Sequence, residues 1–406
     1  MSKINELIQT LCPDGVEYKK LGELFSFKNG ISKNKSFFGH GQPIINFTDV
    51  YHHVRLYSTM IKGLVDATDS ELKRFGVCKG DCFFTRTSET KEDIGRASVI
   101  VDNIENCVFS GFLIKGHPIT DLLMPEYCSY CFNSGDFRKT IVENANMTTR
   151  ATITGEILSK IEIPVPPLPV QDEIVRILDE YTNLEAELEA KLSEEIELKQ
   201  KQYEWYRDEL LTMSDDVSMV SLGDIGTVCM CKRILKSQTN DIGGVPFYKI
   251  GTFGGVANAY ISEELFEEYR DKYNYPKKGD ILISAAGTIG RTIVFDGQPA
   301  YFQDSNIVWL KHDETKVTNR YLNCMYQMSP WYIEKGGTIA RLYNDNILKA
   351  VIPVPSLEEQ DKIVDSIEEM KSTFGLLISA INTELESRKK QYAYYRDQLL
   401  TFKRKE

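Results

Sequence analysis

Two stretches of the chain place an apolar or aromatic residue every three or four positions for about forty residues. In the first they are Ile174, Ile177, Tyr181, Leu184, Leu188, Leu192, Ile196, Tyr203, Tyr206 and Leu210. In the second they are Ile363, Ile367, Met370, Phe374, Leu377, Ile381, Leu385, Tyr392, Tyr395 and Leu399. That spacing lines one face of an α-helix. Residues 170–213 contain neither Gly nor Pro, and residues 358–405 contain only Gly375. Prolines at Pro164 to Pro169, and at Pro353 and Pro355, precede the two stretches and give each a rigid start. A helix of about 43 residues spans roughly 65 Å. One stripe on each helix, with acidic residues elsewhere, predicts that the two pair as a coiled coil. The expected pairing positions are Ile174, Tyr181, Leu188, Tyr203 and Leu210 against Ile363, Met370, Leu377, Tyr392 and Leu399. The alternative is two helices that each pack on their own domain.

The helices are copies of one another. Ile163-Pro164-Val165-Pro166 returns 189 positions later as Ile352-Pro353-Val354-Pro355. At the same offset Gln171 matches Gln360, Lys201-Gln202-Tyr203 matches Lys390-Gln391-Tyr392, and Tyr206-Arg207-Asp208 matches Tyr395-Arg396-Asp397. A single gapless offset over about 50 residues indicates duplication. The segments before the helices correspond more loosely: Leu21-Gly22-Glu23 with Leu222-Gly223-Asp224, Lys79-Gly80-Asp81 with Lys278-Gly279-Asp280, and Ile94-Gly95-Arg96 with Ile289-Gly290-Arg291. Residues 1–160 and 214–350 are therefore read as two diverged lobes, and residues 161–213 and 351–406 as two long helices. Short β-prone runs such as Asp81–Thr85, Ala97–Val101, Asp280–Ser284 and Arg291–Phe295 alternate with glycine turns in the lobes. Short helices are expected around 125–143 and 318–335. The fold class is α+β: two lobes with mixed, mainly antiparallel sheets, separated by two long helices pairing as a coiled coil, with a pseudo-twofold repeat. Asp14 to Gly22 also aligns with Asp215 to Gly223, which follows the first helix. Val16 should therefore lie beside the last turns of the second helix.

The 406 residues carry a net charge of −11, unevenly spread. The helical segments 161–213 and 351–402 sum to −9 and −3, while the lobes are close to neutral. A neutral lobe can still carry a basic face, so the total does not exclude a nucleic-acid partner. No apolar run approaches the ~20 residues of a membrane span. The polar start, Met1 to Thr10, lacks the apolar stretch of a signal peptide. The nine cysteines are odd in number and scattered. Cys128 and Cys131 form one Cys-x-x-Cys, and no second ligand pair stands at zinc-site spacing. Buried free thiols and a cytoplasmic protein are expected, with no metal.

Catalytic signatures are missing. No Gly-Lys pair exists to build a phosphate loop, no Gly-x-Ser-x-Gly elbow occurs, and the one Pro-Pro pair, Pro166-Pro167, follows Val165 rather than Asn or Asp. The polar loops suit DNA better. Thr85, Arg86, Ser88 and Lys91, with Arg96 beyond them, sit between two apolar runs; Ser284, Thr288 and Arg291 are their counterparts. Lys33 and Lys35 fall in one basic loop, and Lys232, Arg233 and Lys236 in another. Thr148, Thr149 and Arg150, and likewise Thr338 and Arg341, precede the two proline clusters. Gln303, Ser305 and Asn306 can hydrogen-bond base edges. Hydroxyls and small residues let a backbone approach phosphate, and Arg reads guanine with two hydrogen bonds.

This order resembles the specificity subunit of type I restriction–modification systems. The carriers are Ile163-Pro164-Val165-Pro166-Pro167-Leu168 with Gln171, Ile352-Pro353-Val354-Pro355-Ser356-Leu357 with Gln360, and the two Tyr-Arg-Asp-x-Leu-Leu ends. The resemblance covers nearly the whole chain. Lobe one departs from it, with Thr85 to Thr90 where lobe two has Gly287-Thr288-Ile289-Gly290. It implies that each lobe reads one half of a split duplex site and that the helices, paired as an antiparallel coiled coil, set the gap between the halves. It implies two docked modification subunits that carry S-adenosylmethionine, and two restriction subunits that use ATP and Mg. The chain itself would hold no cofactor and no catalytic centre. Rival readings are a subunit of a methylation-only or other-type system, a coiled-coil adaptor that binds proteins, and an independent nuclease.

Overall fold

The structure is a computed structural model that describes residues 3–212, 217–331 and 341–406. The chain divides into two compact units, Met1–Ser193 with Asn382–Glu406, and Glu194–Ile381.

In the first unit a five-stranded sheet runs in the order Phe25–Asn29, Leu113–Pro118, Cys82–Thr85, Ala97–Ile100, Arg55–Leu56. All its pairings are antiparallel except the last. Every residue of Cys82–Thr85 and Ala97–Ile100 is buried, because packing covers both faces of these two strands. On one face Phe84, Tyr127, Phe132 and Phe137 form a core with Val170, Ile174 and Leu178 of the first long helix and Leu400 beyond the second. On the other, Phe83, Ile100, Phe109 and Leu113 form a separate cluster. A smaller sheet joins Leu64–Val65, Phe38–Ile45 and Val108–Phe109. The helix expected over 125–143 is two helices, Pro125–Cys131 and Gly135–Asn144. Ser134 starts the second by accepting the amide of Phe137, the usual role of a serine at a helix N-cap.

The second unit repeats this plan. Its main sheet runs Thr227–Cys229, Ile307–Lys311, Ile281–Ser284, Thr292–Val294, all antiparallel. Its small sheet joins Tyr260–Ile261, Val245–Tyr248 and Tyr301–Phe302. Leu211, Ile363, Val364 and Ile367 of the long helices enter the core around Tyr321, Tyr326 and Trp331. Of the segment 318–335, Asn319–Gln327 is helical, and 332–335 lie outside the described residues. The duplicated Ile-Pro-Val-Pro segments are short strands. Glu162–Pro164 pairs with Tyr18–Lys20, and Val351–Pro353 pairs with Met219–Ser221.

The long helices span Leu168–Leu211 and Leu357–Leu399. Within the first unit they touch along a side. Tyr181 stacks on Tyr395 with ring centres 6.4 Å apart, and Lys389 meets Glu189 at 3.0 Å. Positions rise on one helix as they fall on the other, so the helices are antiparallel there. Within the second unit Tyr203 meets Phe374 edge-on at 6.0 Å, while Leu210 and Leu211 share a core with Ile363 and Met370. The contact again runs antiparallel.

The expected pairing set needs correction at its ends and at one interior position. Ile174 and Ile363 are buried in the lobe cores, so the first turns of each helix are rooted in their own lobe. Leu377 is 44% exposed. From Phe374 the half-buried line steps by four to Ile378 and then to Ile381 and Leu385, which leaves Leu377 on the flank. Tyr181 is also largely exposed and stacks at the margin. Leu188, Leu210, Met370, Tyr392 and Leu399 are half-buried.

Val16 lies where the repeat places it. Its amide donates to the carbonyl of Lys403 at 2.8 Å, and its carbonyl accepts from Lys405 at 2.9 Å. Among the described residues no helix is long and apolar enough to cross a membrane.

Candidate nucleic-acid interface

In the first unit the loop after Cys82–Thr85 is anchored at both ends. Thr85 is fully buried, and its hydroxyl accepts the amide of Arg96 at 2.9 Å. Arg86 is exposed, while its backbone is held on two sides: its amide donates to Phe112 at 3.0 Å and its carbonyl accepts from Ile153 at 3.1 Å. Thr87–Ser88 pairs with Ala151–Thr152, which pairs with Asn146–Met147. Two loops about sixty residues apart in sequence are thus brought together. Thr148, Thr149 and Arg150 are exposed at the tip of that hairpin, with Arg150 4.0 Å from Glu89. Ser88 and Lys91 are half-buried beside them.

The second unit builds the equivalent loop with different side chains. Ser284 takes the place of Thr85: it is 2% exposed, and its hydroxyl accepts the amide of Arg291 at 2.9 Å. The strand-like pairing is here a bridge between Ala286 and Arg341. Arg341 also donates to the carbonyl of Ser305 at 3.0 Å. Around it Arg233, Lys236 and Lys249 converge with Gln303, Asp304, Ser305 and Asn306 on an open basin of about 540 Å³. Four cations face one carboxylate, Asp304, which holds Arg233 at 2.8 Å. The lobe's near-zero charge is therefore resolved into a positive concavity, the electrostatic form that attracts phosphate. The side-chain carboxamide oxygen of Gln303 accepts the amide of Ile250 at 2.9 Å.

Several expected contacts serve the scaffold. Thr85 and Ser284 are buried loop latches with no surface to offer. Lys33 is held by Glu71 at 2.7 Å and by the carbonyl of Asp66, its side chain only 11% exposed. Arg96 pairs with Asp93 at 2.7 Å, which holds that carboxyl below the usual carboxylate range, and lies over the ring of Tyr51. Arg291 is exposed and donates to Gly254 at 3.2 Å. Lys35, Lys232 and Thr288 are exposed, with Lys232 above the Tyr273 ring at 5.1 Å. Thr338 lies outside the described residues. Lys249 and Phe112 were not among the expected residues. Lys249 stands alone between Tyr248 and Ile250, so no local basic run marked it.

Cys128 and Cys131 lie on one short helix, both buried among aromatic rings. Burial pushes the Cys131 thiol well above its ordinary range. Among the described residues no group of three or more His, Cys, Asp or Glu is placed to hold a metal ion.

The chain matches the family model described as the type I restriction modification DNA specificity domain twice, over residues 13–198 and 214–387. A putative type I restriction enzyme specificity subunit of Haemophilus influenzae is 52% identical over 257 residues, covering 62% of this chain and 67% of that one. The EcoR124I/EcoR124II specificity subunit of Escherichia coli is 28% identical over 276 residues, covering 63% and 67%. A solved chain from work on assembly and conformational transition of the type I R-M system aligns with a TM-score of 0.68 at 17% identity, covering 95% of this chain and 97% of that one. The HsdS subunit of Thermoanaerobacter tengcongensis aligns with a TM-score of 0.53 at 16% identity, covering 96% of each. Two matched domains, each spanning a lobe and the adjoining part of a long helix, place the chain in the type I restriction–modification DNA specificity family.

Proposed function

We propose that the chain is the DNA-reading, non-catalytic subunit of a type I restriction–modification complex. Each lobe, residues 1–160 and 214–350, reads one half of a split duplex site. The observation that carries this reading is the basin of Arg233, Lys236, Lys249 and Arg341 around Asn306. It combines phosphate-positioning cations with an amide able to read adenine, the division of labour that DNA recognition needs. In lobe one Arg86, Thr148, Thr149 and Arg150, with Lys35, supply the corresponding surface. Adenine methylation requires the base out of the stack, so the subunit would hold deformed DNA for its partners.

Helix length supports the spacing role. DNA repeats every ~34 Å, so a stiff rod converts residues into base pairs between half-sites. Two modification subunits carrying S-adenosylmethionine and two restriction subunits using ATP and Mg would complete the complex, in the cytoplasm where the DNA lies. A methylation-only assembly uses the same surface and differs by lacking the translocase.

Long-read mapping of methylated adenines in the native host, with and without this gene, tests the reading. The expected result is one bipartite motif that vanishes with the gene. An unchanged methylome, with no duplex selected by the purified complex, leaves the protein-binding adaptor instead. Cleavage by the chain alone with Mg would favour the nuclease.

A further inference from the structure

The two lobes differ at one equivalent position, and the equivalence is set by backbone hydrogen bonds. Val108–Phe109 and Tyr301–Phe302 each lie parallel to a neighbour, at Ile44–Ile45 and Phe247–Tyr248. The chain then re-enters the main sheet at Leu113, opposite Thr85, or at Ile307, opposite Ser284. The connection is Ser110-Gly111-Phe112 in lobe one and Gln303-Asp304-Ser305-Asn306 in lobe two. In both, the carbonyl of the last residue accepts the amide of the loop residue after the latch: Arg86 to Phe112 at 3.0 Å, Ala285 to Asn306 at 2.8 Å. Phe112 and Asn306 therefore occupy the same place.

A single exposed apolar residue has no meaning by itself. Phe112 differs by position and by rigidity. It is 65% exposed beside exposed Arg86, where the other lobe presents an amide. The amide of Ser110 donates to Ile45 at 2.9 Å and that of Gly111 to Ile31 at 2.7 Å. A Cβ on Gly111 would lie 2.4 Å from the Ser32 hydroxyl and 3.0 Å from the Ile31 carbonyl oxygen, so the turn sits close against the neighbouring backbone. The ring is carried on a fixed backbone, next to a cation, and among the described residues no aromatic or cationic group stacks on its face.

Resting on the DNA-specificity reading above, we infer that Phe112 recognises the 5-methyl group of a thymine in the half-site of lobe one. That methyl is the apolar feature of the major groove, and Phe is suited to meet it. Asn306, at the same place in lobe two, reads a base edge by hydrogen bonds. The two lobes thus share a frame and differ in chemistry at its reading point.

The test uses the complex with modification subunits and a duplex of the mapped site. Each thymine is replaced in turn by deoxyuridine, which lacks only the methyl. One replacement, in one half-site, should weaken wild-type binding about fourfold, the worth of one buried methyl. Phe112→Ala should bind the thymine and uracil duplexes equally, Phe112→Leu should keep part of the difference, and Asn306→Ala should keep all of it. Phe112 is exposed, so Phe112→Ala should melt with the wild type and a folding defect is separable. The inference is overturned if every uracil replacement is silent, or if Phe112→Ala still distinguishes the two duplexes. A wild-type complex that selects no duplex at all would instead bring down the DNA-specificity reading.

Discussion

Gln171 and Gln360 make the same three backbone hydrogen bonds, one set in each unit. The carboxamide oxygen of Gln171 accepts from Met124 at 2.9 Å, and its nitrogen donates to Leu122 and Pro166, both at 2.7 Å. Gln360 accepts from Thr318 at 2.9 Å and donates to Lys316 and Pro355 at 2.8 and 3.0 Å. Both are fully buried. Each ties the proline strand, the first helical turn and the lobe's short helix at one point. Glutamate in either place would set an acceptor against two carbonyls. Gln360→Glu should cost roughly 3 kcal/mol or more, from desolvation and lost donors. Thermal unfolding of the full chain measures it, and an unchanged midpoint would show the clamp to be idle.

Basic residues of the lobes divide into those that line the open basin and those locked into the scaffold. Arg233→Ala and Arg341→Ala should each weaken cognate-duplex binding by about 1–3 kcal/mol if they read bases, and reduce the salt slope if they hold phosphate. Lys33→Ala should leave binding unchanged and lower the melting temperature slightly, because its partners are Glu71 and Asp66. Titration of labelled duplex at two salt concentrations separates the classes.

The antiparallel register predicts how the spacer can be cut. Glu189 faces Lys389 in one unit and Tyr203 faces Phe374 in the other, so positions on one helix count backwards on its partner. Removing residues 190–196 together with 381–387 takes out two turns and keeps the apolar line in phase. The methylated motif should keep both half-sites and lose about three base pairs between them. Removing only one of the two segments should abolish methylation. An unaltered gap in the matched deletion would rule out the helices as the determinant of spacing.

Acid should loosen the root of the first long helix. Hydrogen bonds from Arg176 and Lys3 lower the Glu173 carboxyl from an ordinary 4.5 to about 2. The folded-state value lies below the unfolded one, so the stabilisation is complete above the ordinary carboxylate range. It is lost as pH falls from about 4.5 towards 2. Glu173→Gln should melt lower than the wild type at pH 7, and the gap should close across that window. A constant gap would mean that the carboxylate charge contributes nothing.

The long-range plan was legible in the sequence because repetition and periodicity act over many residues. The offset of 189 already tied Gln171 to Gln360, and the Asp14 alignment already placed Val16 near the end of the second helix, where Lys403 meets it. Positions decided by a few degrees of helix rotation were not legible. Leu377 and Ile378 are both apolar, and only the partner surface distinguishes them. Residue type alone misjudged Thr85 and Ser284: a hydroxyl at the end of a strand looks like a phosphate contact until the returning amides of Arg96 and Arg291 are seen to use it. Phe112 escaped notice because an aromatic residue inside an apolar run reads as core.

The first unit is discontinuous, and that has a consequence for how the protein is made. Its core takes in Leu399, Leu400 and Phe402, whereas the second unit is drawn from the single span Glu194–Ile381. A ribosome therefore delivers every residue of the later lobe before the earlier one receives its last pieces. The lobe translated first is finished last, and a product that stops short of residue 399 would release one sound reading head alongside one left open.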